Sequence, residues 1–157
     1  MLLPLAVMAQ MRIATVDVQA VFNAMPESKL ASERLEKASQ QYKAEYEMMQ
    51  AEFNGKYAAY QDLAGDTPAA IRDRRVREIQ DANSEIEAFL ARTQDALATM
   101  KQDLEVPIYS KINAAIKEVG DAGHYTYIID VSRTPIAYAG EGAIDLTVQV
   151  KKALGVD

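Results

Sequence analysis

LEKASQQYKAEYEMMQAEFNGKYAAYQDLA (Leu35–Ala64), followed at once by GDTP (Gly65–Pro68), decides the fold of this chain. Apolar residues recur along it at Leu35, Ala38, Tyr42, Tyr46, Met49, Phe53, Tyr57, Tyr60 and Ala64. Steps of three and four alternate as an eleven-residue repeat, about 3.67 residues per turn. Such a stripe runs straight or winds slowly right-handed instead of forming a left-handed coiled coil. Upstream, Pro26 suits a first helical turn, and Glu27 or Ser28 satisfies free amides and the helix dipole. The helix predicted from Ser28 to Ala64 is about 55 Å long at about 1.5 Å per residue. Gly65 suits its end, and Asp66 or Thr67 caps the next helix. That second helix, starting at Pro68, carries Ile71, Ile79, Ala82, Ile86, Leu90, Thr93, Leu97, Met100 and Leu104 at similar spacing. Antiparallel pairing sets Met49 near Ile86, Tyr46 near Leu90 and Phe53 near Ala82.

Short β-type segments flank this hairpin. Ile13-Ala14-Thr15-Val16-Asp17-Val18 reads as a strand, with Asp17 capping a short helical turn through Val21 and Phe22. Beyond the hairpin, Pro107 restarts an amphipathic helix with Ile108, Ile112, Ile116 and Val119, ended by Gly120 to Gly123. Tyr125 to Asp130 is a strand, Ile136-Ala137-Tyr138 a second candidate, and a last helix runs from Ile144 to about Leu154. A hairpin inserted between strands projects from the body they build. The expected division is a body at 10–27 and 106–157, with a helical arm at 28–105 whose tip lies at about 63–68. The fold class is α+β, mostly α. So few β residues make a marginal core, and self-association is the natural remedy.

Composition narrows the function. With 157 residues, 49% of them apolar, the expectation is one soluble domain. A net charge of −6 argues against non-specific nucleic-acid binding, and the absence of cysteine removes disulfides and thiolate metal sites. The apolar Leu2 to Ala9, with small residues before Gln10, resembles the tail of a signal peptide, so residues 1–9 are read as a signal-peptide remnant. No nucleotide-binding loop, cofactor motif or zinc spacing is present. Lone His124 reads as a turn or packing residue, and Asp17 and Asp130 as caps at strand ends rather than paired catalytic carboxylates. The expectation is a protein that holds something, not an enzyme.

The terminal segments resemble the Skp/OmpH family of periplasmic chaperones. The resemblance is carried by Ile13 to Phe22, by Pro107 to Val119, by Gly123-His124-Tyr125-Thr126-Tyr127-Ile128-Ile129-Asp130, by Ala137-Tyr138, and by the closing Ile144-Asp145-Leu146-Thr147. It covers residues 11–156, the arm matching in pattern only. It implies a jellyfish-like homotrimer in the periplasm, in which a β-rich trimerisation body carries three helical arms around a cavity. Unfolded outer-membrane proteins are held there without ATP or another cofactor. The family's best-known members are strongly basic, and this acidic chain departs from them.

Three groups of residues carry these expectations. Tyr42, Tyr46, Met48, Met49, Phe53, Tyr57 and Tyr60 offer clients a deformable, amphipathic surface while sealing the hairpin. Arg72, Arg74, Arg75 and Arg77 form a basic patch at the tip, suited to weak contact with anionic lipid or to internal pairs with Asp73 and Glu78. Ile13, Val16, Val18, Phe22, Ile112, Ile116, Tyr127 and Ile129 are expected to hold the oligomer body. Gly55, in mid-helix, suggests a flexible point. A structural coiled-coil adaptor of the envelope is the alternative. A prefoldin-type chaperone is disfavoured because its strands lie between its helices.

Overall fold

The computed structural model of the chain describes residues 11–156. The expected signal-peptide remnant at 1–9 lies outside them. The elements run β1 (Ile13–Val16), α1 (Val18–Ala24), α2 (Pro26–Gln61), α3 (Ala69–Ala122), β2 (Tyr127–Asp130) and α4 (Thr147–Ala153). Among the described residues the fold is mostly helical, with one two-stranded sheet. The chain divides into two units: residues up to Leu30 with those from Leu104 onward, and Ala31–Asp103.

The first unit is built around parallel β1 and β2, which pair Ile13 with Tyr127, Ala14 with Ile128, Thr15 with Ile129 and Val16 with Asp130. Alternation sends Ala14 and Val16 inward while Ile13 and Tyr127 stay exposed. The chain leaves β1 at Asp17, whose carboxylate accepts the Ala20 amide at 2.8 Å and starts α1 as expected. On the other side of β1, the Thr15 amide donates to Ile144 and the Leu146 amide to Thr15. Asp145 then accepts from the amide and hydroxyl of Thr147, and that hydroxyl accepts from the Asp17 amide at 2.9 Å. One threonine thereby joins the starts of α1 and α4. Val16, Val21, Ile112 and Val150 are the largest fully buried side chains.

Four local expectations are corrected. The helix does not restart at Pro107: α3 runs through it. Proline there removes one amide, leaving the Asp103 carbonyl without its usual partner. Both residues are exposed, so water can serve that carbonyl, while Ile108, Ile112 and Ala115 bury the same helix just beyond. Ile136-Ala137-Tyr138 forms no strand; Ile136 is 43% and Tyr138 83% exposed. Ser28 is not an amide acceptor; its buried hydroxyl donates to the Met25 carbonyl at 2.7 Å. The last helix begins at Thr147 rather than Ile144, because residues 144–146 are spent alongside β1. His124 takes a left-handed backbone with φ 51° and is exposed. Preceding it, Gly123 has no room for a side chain: a Cβ there would collide with the Tyr125 ring.

Candidate functional site

In the second unit, the stretches of α2 and α3 on either side of the 62–68 turn pack along the predicted stripe. Ala31, Ala38, Ala82, Ile86 and Phe89 are buried in this seam. The predicted α3 stripe is exposed at Ile71 (40%) and Met100 (36%), and in its middle the register differs from expectation: Phe89 is buried and Leu90 is 47% exposed. Steps of three and four from Ile86 fall about 60° and 40° to either side of it at about 100° per residue, so spacing alone does not choose between them. Tyr42 chooses. Its ring meets Phe89 edge-on with centroids 6.2 Å apart.

Two helices cannot enclose every face of large side chains, and the stripe residues divide accordingly. Tyr42, Tyr46, Met49, Phe53 and Tyr60 are half-buried, whereas Met48 is 67% and Tyr57 47% exposed. Phe53 and Tyr57, one turn apart on α2, stack at 6.4 Å with an 11° interplanar angle. The result is an aromatic edge, partly in the seam and partly in water. Where facing residues are small, the helices leave a groove of about 400 Å³, floored by Leu35, Leu97 and Ala98 and rimmed by Ser32, Ser39 and Lys101. Leu35 and Leu97 belong to the predicted stripes. Alanine and serine beside them were the signal that the seam opens there.

The arginine cluster is not a single patch. Arg72 donates to the carbonyls of Ala64 (2.7 Å), Gly65 (3.0 Å) and Thr67 (3.2 Å), closing the turn between the helices. Arg75 binds Glu78 at 2.7 Å and Arg74 reaches the same carboxylate at 3.5 Å. Those arginines, Arg75's hydrogen bond foremost, hold the Glu78 carboxyl below its usual range against a weaker opposing effect of burial. Arg77 is exposed.

The residues expected to hold the oligomer also divide. Val16, Val18, Phe22 and Ile112 are buried within the protomer itself, with Phe22 stacked on Tyr109 at 4.9 Å. They build the core of the body. Ile116 and Ile129 are half-buried. Ile13 and Tyr127 (58% exposed) do face outward, and the sequence reading missed that Ile136 and Tyr138 (83%) join them.

Asp17 and Asp130 are both spent on backbone capping. Asp130 accepts from the Ser132 amide at 2.9 Å, the Ser132 hydroxyl at 2.6 Å and the Val18 amide at 3.4 Å. Burial pushes its pKa up, but those bonds and the charge of Arg133 outweigh this and hold it below the ordinary carboxylate value. Among the described residues no cluster of ligating side chains could hold a metal ion, and no helix is long and apolar enough to cross a membrane.

A family model described as outer membrane protein (OmpH-like) matches residues 12–154. Among solved structures, the chain is similar to an OmpH-like protein of Caulobacter crescentus CB15, described as a candidate outer membrane chaperone. The TM-score is 0.75 at 16% identity, over 93% of this chain and 85% of that one. No curated protein matches the sequence.

Proposed function

Because this chain belongs to the OmpH-like outer membrane protein family, we propose that it is a chaperone, acting in the periplasm as an ATP-independent holdase for unfolded outer-membrane proteins. The carrying observation is the aromatic edge of α2, where Tyr57 and Met48 are exposed on a hairpin too thin to cover them. An unfolded β-barrel protein exposes alternating apolar side chains and aggregates through them. Many weak contacts with tyrosine and methionine keep such a chain in solution without imposing one geometry. The protein carries out no chemistry; it competes with aggregation.

Assembly as a homotrimer is part of the same reading. It is supported by the outward face of the sheet, where Ile13 and Tyr127 stand exposed, and by uncovered Ile136 and Tyr138. In the same reading, contact with anionic lipid falls to exposed Arg77 and Arg74, since Arg72 is committed to the turn.

The test is suppression of light scattering by an unfolded outer-membrane barrel diluted from urea. The wild type is expected to suppress aggregation at stoichiometric ratio, and Tyr57→Ser with Tyr60→Ser to weaken client binding at unchanged particle mass. A wild-type protein without effect would leave the structural adaptor as the better reading.

A further inference from the structure

The first unit holds a cavity of about 370 Å³ on the inward face of the sheet. Val16 and Ile128 from the strands and Ile116 from α3 form its apolar floor. Tyr109, Asn113 and Ile116 reach it together because positions four and seven apart share a helix face. The Tyr109 ring is backed by Phe22, nearly parallel at 18°. Arg133 stands at the mouth, 6.0 Å from the Tyr109 centroid.

Polar groups around the mouth have donors to spare. Asp130 uses one oxygen for Ser132 and Val18. Its other oxygen lies 4.0 Å from Arg133 Nε, too far for a hydrogen bond. Among the described residues, neither the Asn113 carboxamide nor the Tyr109 hydroxyl hydrogen-bonds within the chain, and both line the cavity with Arg133, whose side chain is 76% exposed. A small cavity with an apolar floor and a few convergent polar groups is the usual form of a ligand site, and this one is at the small end of the range.

We propose that this cavity binds apolar monocarboxylates: one carboxylate held by the Arg133 Nη groups and Asn113, with an aromatic or branched apolar body against Ile116 and Ile128. Paired donors on a planar guanidinium match a carboxylate. Asp130 sets the limit, because its charge beside Arg133 offsets part of the guanidinium's attraction and opposes a dianion more than a monoanion. The site is separate from the client surface and stands or falls without it. A free small acid and the C-terminal residue of a polypeptide share this chemistry.

The probes are 3-phenylpropanoate and a short peptide ending in phenylalanine, each beside its terminal amide, titrated into the full-length protein and followed by NMR at the Asn113 side-chain amide and the Ile128 methyls. Saturable shifts with at least one carboxylate, weakened about tenfold in its amide, are expected, since a charged hydrogen bond contributes about 1.5 kcal/mol or more. The tighter of the two identifies the source. Arg133→Gln should weaken binding about tenfold as well, and Asn113→Ala less, while Lys117→Gln on the next turn of α3 leaves it unchanged. No saturable shift with either carboxylate, equal binding of acid and amide, or full affinity in folded Arg133→Gln would overturn the assignment.

Discussion

Phe89→Ala and Leu90→Ala are adjacent truncations that should differ severalfold in cost. Phe89 is 8% exposed and its ring contacts Tyr42 edge-on. Losing a buried phenylalanine costs about 3–5 kcal/mol, including about 1 kcal/mol for the aromatic pair. Leu90 is 47% exposed, so only about half of a leucine's 1.5–3 kcal/mol is at stake, and alanine's better helix propensity returns a few tenths. The expected losses are about 4 and about 1 kcal/mol. At about 3 °C per kcal/mol for a chain of this size, the melting temperature should fall about 12 °C for Phe89→Ala and about 3 °C for Leu90→Ala. Helical circular dichroism at fixed protein concentration measures both, and concentration must be held because association shifts the midpoint. Equal shifts, or a larger one for Leu90→Ala, would refute the register and with it the placement of Tyr42.

Arg72→Ala should loosen the turn without touching anion binding, raising amide exchange at Leu63 and Thr67 about tenfold for the loss of charged hydrogen bonds; Arg77→Ala should leave that exchange unaltered. The depressed Asp130 pKa stabilises the fold above its ordinary value of 3.8 and loses that contribution as pH falls through the folded value. Denaturation of Asp130→Asn from about pH 5 down to about pH 2 should therefore show a flatter acid limb than wild type, and parallel limbs would count against the capping role.

The hairpin was legible because its signals agree. An eleven-residue stripe and the Gly65–Pro68 break point to the same two helices, and the turn between them stands within a few residues of prediction. Asp17 was legible for a similar reason: a strand ending in an aspartate three residues before a free amide has one obvious use. What escaped the sequence were choices between near-equal local options. Pro107 argues locally for a break, but its cost of about 3 kcal/mol is set against the burial of Ile108, Ile112 and Ala115 beyond it. Ile136-Ala137-Tyr138 has a strand's alternation but pairs with neither β1 nor β2 among the described residues. Arg72 looks like its neighbours in composition; only the fold turns it toward three carbonyls.

The same division decides how the proposed holdase can be tested at all. Most stripe residues serve seam and surface together, so substituting Tyr42 would loosen the hairpin through Phe89 before it reported on client binding. Tyr57 is different. Its ring is half in water, and its one ring contact, Phe53, lies on the same helix. With that half already in water, its removal costs the seam less than removal of a buried residue such as Phe89. Met48 is freer still. Loss of client binding in Tyr57→Ser or Met48→Ser, at wild-type melting temperature, therefore reads the surface directly, whereas the same loss in Tyr42→Ser reads the fold.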